Sequence, residues 1–261
     1  MKNNVLIVGA SGGIASALIE QYCNEGAQVF AVSRAPAADV FQSENVSYHQ
    51  LAEQNDKSIS NFVRQLAKQD VTLTTVVITT GFLHRDSDGI HPEKRLEDVS
   101  EHALAAYFET NSIIPALWLK HLVNIMSKEG STLVCLSARV GSISDNGLGG
   151  WYGYRASKAA LNMLVKTASV EYKRRLKDVM LVCYHPGTVD TDHCGLHCKT
   201  TYSPPFGAQS RPSLPFYRLE WRSGNLVIRS NITSASSTSR LFISLLLPCY
   251  FWEWCSVLIS P

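Results

Sequence analysis

Tyr154 and Lys158, in Tyr154-Arg155-Ala156-Ser157-Lys158, are the residues whose types and spacing carry the most chemistry. They lead into Ala159-Ala160-Leu161-Asn162-Met163-Leu164, a stretch free of Gly and Pro that reads as helix. Residues four apart on a helix share a face, one turn from each other. A phenol and an ammonium therefore point at the same place. A neighbouring cation favours phenolate and draws the tyrosine pKa from roughly 10 toward the range of a general acid or base. The same spacing occurs on solvated helix faces, so the pair gains meaning only from what the rest of the chain brings to it.

The amino-terminal end supplies that context. Val5-Leu6-Ile7-Val8 is a short β-branched apolar run, as in a buried parallel strand. It enters Gly9-Ala10-Ser11-Gly12-Gly13-Ile14-Ala15, and Ser16-Ala17-Leu18-Ile19-Glu20-Gln21-Tyr22 then reads as helix. Strand, glycine turn and helix start make a phosphate cradle, with free backbone N–H groups and the positive helix end facing an anion. Gly9 allows the tight turn, Gly13 the approach of a diphosphate, and Ala15 stands where a third glycine is common. The next strand, Gln28-Val29-Phe30-Ala31-Val32, runs into Ser33-Arg34. A site selective for NAD places an acid here to bond the ribose hydroxyls. An arginine stands here instead, and a guanidinium fork matches a 2′-phosphate, so NADP(H) is expected.

These features together resemble the short-chain dehydrogenase/reductase family over about residues 1–192. Val76-Val77-Ile78-Thr79-Thr80-Gly81 is similar to the family's fourth strand and closing glycine, with Ile78-Thr79-Thr80 in place of the usual Asn-Asn-Ala. Asn111 matches the family's helix asparagine, and His185-Pro186-Gly187-Thr188-Val189 its turn over the nicotinamide. The stretch from Ser137 to Asn146, with Gly149-Gly150-Trp151-Tyr152-Gly153-Tyr154, resembles the carbonyl-reductase-like branch that includes the C-factor signalling protein. The resemblance implies a Rossmann-type catalytic domain that moves a hydride between NADP(H) and a small carbonyl or alcohol. It implies that Tyr154 exchanges the proton, that Lys158 lowers its pKa and bonds the nicotinamide ribose, and that Asn111 holds a water joining Lys158 to solvent. Gly9, Ser11, Gly12, Gly13, Ile14, Ser33, Arg34, Gly81, Pro186, Gly187, Thr188 and Val189 are the implied cofactor contacts, with Tyr154 and Lys158. A serine should bond the substrate oxygen. The family often carries Ser-Ser with the second catalytic, but here that place is Ala138 and Ser137 remains. One position of shift on a strand end turns a side chain to the opposite face, so Ser137, Ser142 and Ser144 all stay candidates. Ala52 and Glu53 occupy the neighbourhood where the family places an adenine-contacting Asp.

The elements that must hold these residues alternate. Strands are expected near 4–9, 28–33, 46–51, 73–80, 131–137 and 179–185, and helices near 13–25, 56–69, 98–127 and 152–177, with Pro115 kinking or restarting the third. That rhythm specifies an α/β fold, a doubly wound parallel sheet with helices on both faces. Net charge is +2 with no long basic run, which points away from nucleic acid. Lys2-Asn3-Asn4 leads straight into a strand, with no signal peptide, and seven scattered cysteines suggest reduced thiols and a cytoplasmic home. A homo-oligomer is open to it, as in the family.

After Asp192 the composition shifts. Residues 193–261 hold two acids against six bases, with dense serine and proline and little helical periodicity. This atypical tail supplies neither the helices nor the seventh strand of the family, and reads as an out-of-frame or poorly ordered segment. His193-Cys194-Gly195-Leu196-His197-Cys198 offers four zinc ligands, but one short stretch rarely closes a tetrahedral site, so no metal is expected. The apolar run Leu241–Ile259 is broken by Pro248 and Glu253, so no membrane span is expected. Two function classes follow: an NADPH-dependent carbonyl reductase, or a non-catalytic, signalling protein that keeps the nucleotide fold.

Overall fold

The computed structural model of the protein describes residues 3–36 and 43–186, and the backbone of two further strands, 217–222 and 225–230. Six strands form one parallel sheet: β1 Asn4–Val8, β2 Gln28–Ser33, β3 Val46–Gln50, β4 Thr75–Ile78, β5 Glu129–Leu136 and β6 Asp178–Tyr184. Their order is β3-β2-β1-β4-β5-β6. The order reverses between β1 and β4, and a sheet wound both ways from one point opens a crevice at the carboxyl ends of those two strands. Val5 pairs with Gln28's neighbour Val29 on one side and with Thr75 on the other.

Side chains on the strands alternate between two cores. Val5, Ile7, Val29 and Ala31 pack with Ala15 and Ile19 of α1 (Gly13–Asn24). Leu6, Val8, Phe30 and Val32 face the other way, onto α2 (Asp56–Lys68), α4 (Ile114–Leu122) and α5 (Tyr152–Leu176). Both faces are apolar because helices cover both, which is why the strands read as continuous hydrophobic runs. α2 starts at a capping box: Asn55 accepts from the Ser58 N–H at 2.9 Å, and Ser58 Oγ accepts from the Asn55 N–H at 3.1 Å. Trp118 on α4 is wholly buried, its ring edge-on to Phe62 at 5.8 Å and its indole N–H donating to Gln54 at 3.2 Å.

The expected helix over 98–127 is two helices. α3 (Glu101–Phe108) passes through a π turn, Glu109–Ile113, before α4 begins with Pro115 in its first turn. Pro115 has no N–H for the carbonyl four residues back, that of Asn111, and its ring would clash with that carbonyl in a regular helix. The chain takes one residue more per turn there, as such turns do at functional sites. β4 is shorter than the expected 73–80, because its ladder stops where β1 turns away at Gly9.

The chain divides into two units near residue 195. In the second, Tyr217–Arg222 and Asn225–Ser230 pair antiparallel as a separate two-stranded sheet. This hairpin had no counterpart in the sequence expectation, whose serine-rich, period-poor reading gave no strands. Among the described residues no seventh strand joins the parallel sheet, and no helix is long and apolar enough to cross a membrane. The zinc-ligand cluster at 193–198 lies outside the described residues, as does the apolar run near the carboxyl terminus.

Replacing Trp118 by Ala should cost about 3–5 kcal/mol, the usual toll of a large aromatic cavity, while Trp118→Phe should cost clearly less. Denaturant unfolding followed by circular dichroism measures both; equal costs would mean that ring burial is not what holds α4 to the sheet.

Candidate active site

The glycine turn forms where β1 ends. Gly9 has φ 92°, a conformation that a side chain resists. A Cβ there would come within 2.5 Å of Thr79 Oγ1, so the turn lies flat against the end of β4. The N–H groups of Gly9 and Ala10 both donate to Val32 O, and Gly12 N–H donates back to Gly9 O at 3.0 Å. α1 then opens at Gly12 with no side-chain cap, so the first N–H groups of the helix, those of Gly13 and Ile14, face whatever anion lies before them. Ser33, the last residue of β2, is buried and its hydroxyl accepts from the Ala35 N–H at 3.2 Å, while Arg34 just past it is exposed.

The candidate tyrosine–lysine pair sits on α5. Tyr154 and Lys158 lie one turn apart near its amino-terminal end, and Lys158 Nζ stands 5.9 Å from the Tyr154 ring centre. Lys158 is 3% exposed and donates to Leu136 O at 2.9 Å, at the carboxyl end of β5. A Cβ on Gly81, just past β4, would reach within 3.0 Å of Lys158 Nζ and 3.2 Å of Asn111 Oδ1. The sequence expectation of an acidified tyrosine is corrected here. Burial pushes the Tyr154 phenol up to about 12 and the Lys158 ammonium from 10.5 down to about 8. Desolvation penalises both charged forms, and the ammonium's hydrogen bond goes to a carbonyl and not to the phenol.

Asn111 sits in the π turn, fully buried. Its Oδ1 accepts from the Phe82 N–H at 2.9 Å, and its Nδ2 donates to Phe82 O at 3.1 Å and to Ser157 Oγ at 3.0 Å. Ser157 donates to Tyr154 O, and Ser112 donates to Ser157 O. The asparagine thus ties the segment after Gly81 to the backbone of α5. With both amide hydrogens engaged, only Oδ1 keeps an acceptor position for the water that the family resemblance assigns to it.

Ser137, 9% exposed, donates to Asn162 Oδ1 at 2.6 Å, on α5 one turn beyond Lys158. Ser142 and Ser144 have their hydroxyls 3.3 Å apart, and Ser142 accepts from the Asp145 N–H. Pro186 follows β6; Gly187, Thr188 and Val189 lie outside the described residues.

Glu93 is a residue that sequence reading missed. Its side chain is buried, and both carboxylate oxygens accept from the Gly153 N–H, at 3.2 and 3.3 Å. The N-cap residue of α5, Trp151, has φ 54° and no capping side chain, and its N–H donates to Glu93 O. A carboxylate from a distant loop therefore does the capping, where the helix dipole favours it. A Cβ on Gly153 would strike the Tyr107 ring and come within 2.9 Å of Glu93 Oε1. The only signal in the sequence was Gly153 itself, inside an otherwise good helix. Aromatic rings line the approach: Phe82 stacks on Tyr107 at 4.9 Å, and Tyr107 and Trp151 meet Tyr154 edge-on at 6.3 Å each.

Sheet, turn and tyrosine–lysine pair define a Rossmann-type oxidoreductase. The chain belongs to the short chain dehydrogenase family, whose model matches residues 3–197; the family works with nicotinamide dinucleotides. It is 28% identical over 190 residues to a 1-hydroxy-2-glutathionyl-2-methyl-3-butene dehydrogenase of Rhodococcus sp. (strain AD45), covering 73% of this chain and 79% of that protein. It is 45% identical over 60 residues to the C-signal of Myxococcus xanthus, 23% of this chain and 35% of that one. A carbonyl reductase from Pseudomonas aeruginosa PAO1, solved in complex with NADP, superposes with a TM-score of 0.61 at 26% identity, over 75% of this chain and 83% of that one.

Glu93→Ala should destabilise the protein by about 1–3 kcal/mol, because it uncaps α5 and leaves a buried N–H unpaired; thermal melting reads the loss. Lys158 carries a pH signature. Between its folded value near 8 and its unfolded 10.5 the unfolded chain binds more protons, so its contribution to stability rises with pH in that window. Lys158→Met should therefore stabilise the ligand-free protein at pH 7 by about 1–3 kcal/mol, with the gain shrinking toward pH 10. Denaturation at pH 7, 9 and 10 tests this, and a pH-independent difference would contradict a desolvated ammonium.

Proposed function

We propose that this protein is an NADP(H)-dependent oxidoreductase that reduces a carbonyl to an alcohol, or runs the reverse, with Tyr154 as general acid or base. The observation that carries the reading is the convergence of Tyr154 and buried Lys158 beside Gly81, at the carboxyl end of the sheet whose first turn is a phosphate cradle. When bound, the nicotinamide supplies or accepts the hydride. Gly9, Ser11, Gly12, Gly13 and Ile14 hold the diphosphate at the start of α1. Arg34, exposed just past β2, is free to meet a 2′-phosphate, and no acid follows β2 to favour NAD. That a similar carbonyl reductase was solved with NADP supports the choice. By the family resemblance, Pro186, just past β6, would meet the ring.

Tyr154, with its pKa near 12, holds its proton at neutral pH and can deliver it to a carbonyl oxygen as negative charge develops there. In the oxidative direction Lys158, its Nζ 5.9 Å from the centre of the Tyr154 ring, stabilises the phenolate electrostatically and leaves Tyr154 ready to take a proton. Asn111 acts by fixing Phe82 and the first turn of α5, and any water it bridges to Lys158 binds through Oδ1. Ser137 reaches a substrate oxygen only by giving up Asn162.

The same serine favours a second reading, in which the chain binds nucleotide without turnover and acts through a partner. Ala138 has no hydroxyl and Ser137 has committed its proton to Asn162, so neither position of the family's serine pair offers a free donor to a substrate oxygen. The local similarity to the C-signal agrees with this reading. Titration with NADPH and NADH followed by a panel of aldehydes and ketones separates the two. The enzyme reading expects NADPH to bind at least about tenfold tighter than NADH, a preference that Arg34→Ala removes. It expects turnover that Tyr154→Phe lowers by about 10²–10⁴-fold with NADPH affinity kept. Tight NADPH binding with no turnover of any carbonyl would decide for the second reading.

A further inference from the structure

Among the described residues, two buried side-chain polar atoms have no hydrogen-bond partner: His49 Nε2 and Thr80 Oγ1. His49 is accounted for by its surroundings. It packs between Phe30 and Phe62, at 6.3 and 5.0 Å, and burial lowers its pKa and keeps it neutral. Thr80 is not in such a place. It follows β4 at the point where the strand order reverses, directly across from the turn at the end of β1. A Cβ on Gly9 would lie 3.3 Å from Thr80 N, and the next residue, Gly81, is the one against Lys158 Nζ. Thr80 therefore stands between the phosphate turn and the catalytic lysine.

Its neighbour gives a contrast. Thr79 donates its hydroxyl to Val8 O at 2.8 Å and contacts Gly9 O at 3.3 Å, so that hydroxyl serves the fold by joining β4 to β1. Thr80's hydroxyl joins nothing in the protein. A buried hydroxyl left unpaired is destabilising, whereas an apolar residue of the same shape would not carry that cost. At this position the sequence carries a threonine where the family resemblance expects an alanine.

We infer that the Thr80 hydroxyl is a binding group of the dinucleotide site, donating to an oxygen of the ribose-phosphate segment on the nicotinamide side. The inference rests on the proposed cofactor reading: with the diphosphate at Gly9 and the reactive ring at Tyr154, that segment is what crosses between them. The adenosine half, directed toward Arg34, lies on the other side of the turn.

The test is affinity, measured without turnover. NADPH and adenosine 2′,5′-bisphosphate are titrated by calorimetry into the wild-type protein, Thr80→Val and Thr80→Ser, with melting temperatures of each ligand-free protein. Thr80→Val should weaken NADPH about 5- to 20-fold, the worth of one hydrogen bond, and leave adenosine 2′,5′-bisphosphate unchanged. Its ligand-free melting temperature should hold or rise. Thr80→Ser should stay within about threefold of wild type for NADPH, which guards against a packing effect of valine. Unchanged NADPH affinity in Thr80→Val, or an equal fall for the bisphosphate, overturns the inference and leaves the cofactor reading standing. A lower ligand-free melting temperature with unchanged NADPH affinity overturns it too, and assigns the hydroxyl to an ordered water. If the wild-type protein takes up neither NADPH nor NADH, the cofactor reading itself falls, and this inference with it.

Discussion

A primary ammonium taken out of water must recover strong interactions or lose its proton, and Lys158 does part of each. It is 3% exposed, its hydrogen bond goes to the carbonyl that ends β5, and its pKa falls to about 8. Among the described residues the buried charged side chains are Lys158 and Glu93, and Glu93 answers the N-terminus of α5, not the lysine. The surrounding structure is shaped by letting this one group in. The chain approaches it at Gly81 and again at Gly141, where a Cβ would lie 2.9 Å from the Lys158 backbone and Cβ. The π turn swings Asn111 under the same helix, and β5 ends with its carbonyl turned to the amine. Destabilised in the ligand-free fold, the ammonium is ready to be stabilised by whatever anion or oxygen-rich group enters the crevice.

The first turn of α5 is held from three sides. Glu93 caps it, Asn111 reaches it through Ser157, and Tyr107 closes on Gly153. Such support fixes the Tyr154 phenol more firmly than loops alone would. Long-range polar contacts do here what a single capping side chain does in an ordinary helix.

How much of this could be read from the chain follows from how local each cause is. The strands and the first two helices were legible because β-branched runs, glycine turns and capping residues act within a few positions. α5 was legible from its long stretch free of Gly and Pro, although its first turn carries no capping side chain of its own. The π turn was half-legible: Pro115 announced a break, but whether a helix bends, stops or gains a residue depends on what packs below it. The tyrosine's acidity was misjudged, since spacing reports proximity along a helix and says nothing of desolvation. Glu93 was invisible, because sixty residues separate it from the N–H it satisfies. Ser137 and its partner Asn162 were equally out of reach, for the face a residue presents just past a strand end is decided by tertiary packing.

The entry to α5 carries one more consequence. Trp151, held in a left-handed conformation at the helix start, keeps its indole edge-on to the Tyr154 ring. An indole at the rim of a cleft absorbs and emits where neither backbone nor dinucleotide phosphate does, and its emission shifts when nearby polarity changes. Trp151 is one of five tryptophans in the chain, so the difference in emission between the protein and Trp151→Phe isolates its signal and reports a guest in the cleft without any label.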